Sequence, residues 1–175
     1  MTEENLNTLA IRHSSVQDCE NIYILYKRVA SIEGGLARTA SEISNDYIEN
    51  FVTKSVNNGI ELVAVLNDTV RIIGEIHCYN KGLKAFAHVL GDLTIAVDPE
   101  FQGKGIGKTL FNELLEEVKL RRTDILRVEL LARESNDRAL QFYESLGFVR
   151  EGRLRRRIKS IGGGFEDDIF MAWHR

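Results

Sequence analysis

Apolar and polar positions recur with two distinct periods along the chain, and the changes of period mark its elements. Thr8 to Ile11 predicts a short strand, after which Ser14-Ser15 offers an N-cap for an amphipathic helix through Arg28. Ile43, Tyr47, Phe51 and Val56 predict a second helix over 41–56, stopped by Asn57-Asn58-Gly59. The period then shortens to two. Residues 61–66 form an apolar run bounded by an Asn67-Asp68 turn, and Val70, Ile72, Gly74, Ile76 and Cys78 follow as one face of a strand. Arg71, Glu75 and His77 lie opposite. Residues 88–97 predict the next strand, with Leu93, Ile95 and Val97 on one face and Asp92, Thr94 and Ala96 on the other.

Helical spacing returns over 105–121, where Ile106, Leu110, Leu114 and Val118 repeat at i+4 and Phe111 and Leu115 widen the stripe. A strand over 125–133 follows, with Leu126, Val128, Leu130 and Ala132 alternating against Arg127, Glu129 and Leu131. Residues 136–146 predict a short helix that Gly147 is placed to end. The tail, 148–173, reads as two strands around the turn Ile161-Gly162-Gly163-Gly164. This order implies an α/β protein, a single domain over residues 1–175 with one mixed central sheet and flanking helices.

Composition narrows the classes. Of 175 residues, 43% are hydrophobic and 28% charged, the profile of an ordinary folded domain rather than a disordered or membrane-spanning chain. A net charge of −3 argues against an unspecific grip on nucleic acid. Cys19 and Cys78 form neither a zinc pattern nor a disulfide framework, and the first residues show no export signal. A cytoplasmic protein without metal, membrane or nucleic-acid partners is expected, with room for a homodimer.

The segment richest in chemistry is Val97-Asp98-Pro99-Glu100-Phe101-Gln102-Gly103-Lys104-Gly105-Ile106-Gly107-Lys108. It leaves a strand, turns at the only proline and enters a helix through three glycines at alternate positions. Glycines let backbone N–H groups approach a phosphate without a Cβ clash, and a helix N-terminus supplies free donors and partial positive charge. Lys104 and Lys108 add full charges where the helix dipole is already positive, which does nothing for the helix itself. A P-loop would need glycine where Gln102 stands, and no glycine completes a dinucleotide fingerprint between Lys108 and Phe111.

With its strand ending Val97-Asp98-Pro99, Gln102-Gly103-Lys104-Gly105-Ile106-Gly107 resembles the acetyl-coenzyme A loop of the GNAT superfamily of N-acetyltransferases. Downstream, Asn136-Asp137-Arg138-Ala139-Leu140-Gln141-Phe142-Tyr143 and the exit Gly147-Phe148 resemble that family's asparagine–alanine–tyrosine helix. The resemblance implies a mixed sheet whose fourth and fifth strands splay apart, with the pantetheine arm of acetyl-CoA in the wedge. Backbone groups of Ile95 and Val97 would meet the arm. The amides of Gln102, Gly103, Lys104, Gly105, Ile106 and Gly107, with Lys108, would hold the pyrophosphate, and Asn136 would bind the arm from the opposite side.

Tyr143 would stand near the thioester sulfur. A tyrosine titrates near ~10 and a thiol near ~8.5, so the phenol is protonated at neutral pH and available as an acid toward the leaving thiolate. Spacing alone equally suits Tyr143 as a core residue and Asn136 as a helix cap. In the ribosomal-protein alanine acetyltransferases of this superfamily a glutamate stands where this chain has Leu131. Glu129, two residues back on the same face, Asp92 and Glu75 are the remaining candidates for the base, each also readable as a surface or ion-paired carboxylate.

In the tail, Arg153, Arg155, Arg157 and Lys159 would share one face of a strand, either to meet a carboxylate or to pair with Glu166, Asp167 and Asp168. The final hairpin resembles that of amino-acid and protein α-amine acetyltransferases. An α-amine titrates near ~8 against ~10.4 for lysine, so it asks less of a base. The resemblance therefore implies acetyl transfer from acetyl-CoA to a primary amine, expected to be the α-amine of an amino acid or peptide. A non-catalytic acyl-CoA-binding module is the alternative.

Overall fold

The computed structural model describes residues 9–32, 34–66, 71–159 and 163–175. Its elements run β1 (Leu9–His13), α1 (Cys19–Ala30), α2 (Asn45–Asn58), β2 (Gly59–Leu66), β3 (Arg71–Tyr79), β4 (Val89–Val97), α3 (Ile106–Leu120), β5 (Arg127–Arg133), α4 (Asp137–Ser145), β6 (Val149–Lys159) and β7 (Phe165–His174). The strands form one seven-stranded sheet in the order β1-β2-β3-β4-β5-β7-β6. Every neighbouring pair is antiparallel except β4–β5. This is the mixed sheet expected from the order of elements. Thr8, Asn67-Asp68, Val70 and Ile161-Gly162 of the expected strand and turns lie outside the described residues.

Each face of the sheet carries its own core. On one side α3 lays Ile106, Leu110, Phe111, Leu114, Leu115 and Val118 over Ile73, Ile76, Leu90 and Val128, all buried. Each such side chain contributes about 1.5–3 kcal/mol by leaving water. The stripe lies so close to the sheet that a Cβ on Gly74 would stand 3.0 Å from both Ile106 and Leu110. On the other side α1 and α2 cover Val63, Val65, Ile72 and Ala96 with Ile22, Leu25, Ile48 and Val52. Ser44 starts α2 by accepting a hydrogen bond from the Tyr47 N–H at 3.2 Å, so that helix begins later than residue 41.

Three irregularities break the regular alternation. The β2–β3 register shifts between Ala64 and Val65, leaving Ile73 as an extra residue that turns into the α3 core. In β4, Thr94 pairs with His77 and Gly91 with Tyr79, three steps against two, and Asp92 takes φ 53°. Asp92 therefore stands in a bulge rather than in line with Thr94 and Ala96. In β6, Leu154 opposes Asp168 and Ile158 opposes Glu166, four residues against two, with Arg156 at φ 54°. The single basic face of Arg153, Arg155, Arg157 and Lys159 expected from a regular strand does not exist. Strand β5 also starts at Arg127, so Ile125 fills the core and Leu126 is half exposed.

Candidate active site

Strands β4 and β5 pair only at Val89–Arg127 and Leu90–Val128. Beyond that point β4 stays with β3, β5 stays with β7, and a wedge opens between them. The side of β4 facing the wedge follows from its hydrogen bonds to β3. The Asp98 N–H donates to the Ile73 carbonyl at 2.9 Å, which makes 73/98 a hydrogen-bonded pair. Antiparallel pairs alternate, so 74/97 and 76/95 are not bonded, and Ile95 and Val97 turn their N–H and C=O groups into the wedge. The Val97 carbonyl already accepts from Gln102 Nε2 at 3.1 Å. Gln102 thus closes the loop with its side chain and leaves its backbone to face outward.

The loop after β4 is pinned at its base. Asp98, 2% exposed, accepts from Arg71 at 2.6 Å, Arg28 at 3.0 Å and the Glu100 N–H at 3.2 Å. Burial pushes this carboxyl up, but Arg71, the Glu100 amide and Arg28 together hold it below the usual carboxylate range. Phe101 is buried beneath the turn, with Lys104 Nζ 4.8 Å from its ring centroid. Gly103 and Gly105 have φ of 76° and 86°, and a Cβ on either would meet nothing within 4 Å. Gly105 is the N-cap of α3 and supplies no side-chain cap. The first bond of that helix runs from the Thr109 N–H to the Gly105 carbonyl, and the amides of 103–108 donate to no backbone carbonyl among the described residues. This is an open row of donors at a helix N-terminus, and its fit to a pyrophosphate rests on that exposed geometry.

A cavity of about 950 Å³ runs through the wedge from one face of the sheet to the other. Tyr143 and Asn136 line it on the α3 side. Tyr143 packs on Phe111 and Phe148, with centroids 5.5 and 6.2 Å away, and its hydroxyl has no hydrogen-bond partner among the described residues. Burial pushes its pKa up to about 12. Asn136 caps α4, its Oδ1 accepting from the Ala139 N–H at 3.1 Å. The plain cap reading is therefore realised, at a position that also lines the cavity.

The carboxylates expected as bases are less free. Glu129 lines the cavity below Gly91, but its Oε1 accepts from Arg127 Nε at 2.5 Å, and Arg127 also grips Glu151. Asp92 is exposed and stands 3.5 Å from Lys81. Glu75 is not a surface residue at all: it is fully buried, accepts from the Tyr26 hydroxyl at 2.6 Å and lies 3.0 Å from His77 Nδ1. His77 reaches the cavity wall and was missed by the sequence reading, because the polar face of β3 resembles a solvent face until α1 and α2 cover it. Arg157 also reaches the cavity, 3.5 Å from Asp168, while Arg153 pairs with Asp167 at 2.6 Å and Glu134 at 2.8 Å.

Near this cluster Glu61 is 2% exposed, and neither carboxylate oxygen has a hydrogen-bond partner among the described residues. Burial, with Glu75 nearby, pushes its pKa up from 4.5 to about 9. Between those values the unfolded chain releases a proton that the folded chain keeps, so stability falls as pH rises from about 4.5 to about 9. Glu61→Gln is expected to remove that slope and to stabilise the fold by roughly 3 kcal/mol at pH 7. Urea midpoints of variant and parent at pH 5 and pH 8 check it. The gap should widen with pH, and a constant gap would contradict a buried neutral carboxyl.

Residues 59–150, just over half of the 175-residue chain, match the family described as the acetyltransferase (GNAT) domain. The chain belongs to the GNAT acetyltransferase family. Over 78 residues it is 44% identical to a ribosomal protein bS18-alanine N-acetyltransferase of Salmonella typhimurium, covering 45% of this chain and 51% of that protein. It thus spans about half the length of this curated relative. It is also 28% identical over 125 residues to a spermidine N(1)-acetyltransferase of Vibrio cholerae, covering 71% of this chain and 69% of that one. A GNAT-family acetyltransferase structure from Streptococcus pneumoniae superposes with a TM-score of 0.84 at 24% identity, over 95% of this GNAT chain and 99% of that one. A Salmonella typhimurium structure with acetyl-CoA as its cofactor gives 0.80 at 20% identity, over 95% and 93%. These last two share the fold. Among the described residues of this GNAT protein, no helix is long and apolar enough to cross a membrane.

Proposed function

We propose that the protein transfers the acetyl group of acetyl-CoA to the α-amine of an amino acid or peptide. The observation that carries the reading is the shared cavity. Ile95 of the open β4 edge, Asn136 and Tyr143 border one cavity through the wedge, and the free amides of 103–108 follow directly after β4 in the chain. In this reading the amides of 103–107 and Lys108 hold the pyrophosphate, the β4 edge and Asn136 orient the pantetheine arm, and Tyr143 donates to the leaving sulfur. Bound acetyl-CoA supplies the activated thioester. The acceptor then enters from the opposite face, past Tyr47 and Arg38.

The charges along that entrance favour a carboxylate-bearing acceptor over a polyamine. Asp92 faces Lys81, Asp168 faces Arg157 and Glu129 is held by Arg127. Arg38 lies over the Tyr47 ring, 4.1 Å from its centroid. A polyamine needs free carboxylates, whereas a peptide or amino acid offers one to arginine. The name of the bS18-alanine N-acetyltransferase relative agrees with an α-amine acceptor. Thiol release from acetyl-CoA, ranked by kcat/KM across α-amino acids, N-terminal peptides, spermidine and aminoglycosides, is the test. Amino acids or peptides should lead. Spermidine in first place would overturn the acceptor, and binding of acetyl-CoA without turnover on any amine would make the protein a binding module.

A further inference from the structure

We propose that His77 is the base that takes a proton from the acceptor amine, with Glu75 and Tyr26 as positioning residues behind it. This rests on the acetyl-transfer reading and names a group on the acceptor side of the channel. His77 lies on the wall of the cavity, 2% exposed. Its ring is stacked on Phe51, with centroids 4.0 Å apart and planes at 13°, and Tyr79 is nearly parallel at 6.2 Å. Nδ1 faces Glu75 Oε1 at 3.0 Å, and the other Glu75 oxygen accepts from Tyr26 at 2.6 Å. A carboxylate oxygen only accepts, so the 3.0 Å contact with Glu75 assigns the proton to Nδ1. Nε2 is then the lone-pair nitrogen, and it has no partner among the described residues.

The backbone register puts His77 beside the strand that edges the wedge. His77 pairs with Thr94, next to Ile95, whose backbone opens into the wedge. Tyr143 borders the same cavity from the other face of the sheet. Donor and acceptor would thus meet in the gap between β4 and β5. His77 Nε2 takes one proton from the α-ammonium group, and the freed lone pair forms the N–C bond. The C–S bond breaks, its electron pair goes to sulfur, and the thiolate accepts a hydrogen bond from Tyr143. The second proton leaves the nitrogen for solvent as the amide forms, and the released thiolate takes one back.

Several other titratable or charged groups lie around this ring. Glu61 of β2 is its cross-strand partner, α1 presents Tyr26, and α2 presents Tyr47, which holds Arg38 over its ring. Tyr79 lies alongside on β3, with Lys54 of α2 5.4 Å from its centroid, and burial together with Asp92 of the β4 bulge raises its pKa. A pH profile with two α-amine acceptors of different basicity separates these contributions. One limb of kcat/KM moves with the acceptor, and the other is fixed by the protein.

In His77→Gln the fixed limb should vanish and kcat/KM should fall about 10²-fold, while acetyl-CoA binding by calorimetry stays within twofold. Glu75→Gln should shift the fixed limb and the NMR titration of the His77 ring together, which a purely structural carboxylate would not do. On the wild-type protein, the midpoint of the His77 ring must match that limb, and this measurement needs no variant to fold. Turnover by wild type with the limb intact in His77→Gln, or a mismatch with the ring, overturns the assignment of His77 alone. Acetyl-CoA binding without turnover on any amine overturns the acetyl-transfer reading, and the base falls with it.

Discussion

Tyr143→Phe is expected to lower kcat by about 10²-fold, with little change in acetyl-CoA affinity and none in the fold. The ring supplies the packing against Phe111 and Phe148, and phenylalanine keeps it. Only the hydroxyl goes, and no group among the described residues depends on that hydroxyl. The size of the loss follows from two acidities. Burial holds the phenol at about 12, so it stays protonated over the whole working range of pH. A thiol of ordinary acidity titrates near ~8.5, so complete proton transfer from this phenol to a thiolate is uphill by some three decades. The larger benefit is then a hydrogen bond donated to charge developing on sulfur, and removing one such donor costs ~10²–10³-fold. Pre-steady-state thiol release places the loss in the chemical step. Wild-type turnover in this variant would leave Tyr143 with a packing role only.

The parts of the site that were legible in the sequence are those where the backbone itself makes the demand. Alternate glycines after Val97-Asp98-Pro99 are needed because Gly103 and Gly105 adopt positive φ, and such a demand leaves a residue signature. The stripe on α3 was legible for the same reason: all six of its apolar residues point one way and are buried. What stayed hidden depends on partners distant in the chain. Glu75 and His77 stand two apart on a strand that alternates cleanly, and nothing local says that Tyr26, from 49 residues earlier, will cover them. The basic run 153–159 misled because a bulge changes which way its arginines point. Arg153 turned to the surface acids, and Arg157 reached the cavity.

Leu131 shows how these two kinds of information combine. Its place on β5, where a glutamate was expected by resemblance, is 38% exposed and lines the cavity. The neighbouring Glu129 is occupied by Arg127. Among the described residues, the β5 side of the wedge therefore offers only a carboxylate held by arginine, whereas His77 on β3 keeps Nε2 without a partner. An acceptor already half neutral near pH 8 needs only modest help from such a base.

Gly105→Val and Gly107→Ala are expected to separate sharply, although the two glycines stand one residue apart. At Gly105, φ is 86° and a Cβ would meet nothing within 4 Å, so the obstacle is the backbone conformation and not crowding. A β-branched residue strongly disfavours that region, at a cost on the order of 1–3 kcal/mol. A domain with about 5–15 kcal/mol of stability survives this, but the loop relieves the strain by turning the amides of 103–107 out of register. Each hydrogen bond from an amide to a charged phosphate contributes about 1.5–3 kcal/mol. Loss of two such bonds weakens acetyl-CoA binding by about 10²-fold or more. Gly107 has no positive φ, and a Cβ there would stand 3.6 Å from Ile95 and 3.8 Å from Val97, ordinary contact distances. Gly107→Ala should therefore bind within about fivefold of the parent, a shift of roughly 1 kcal/mol. Calorimetry with acetyl-CoA on both folded variants decides the matter. Undiminished affinity in Gly105→Val would remove the pyrophosphate from this loop, and equal losses in both would mean that bulk, rather than backbone conformation, sets the requirement for glycine.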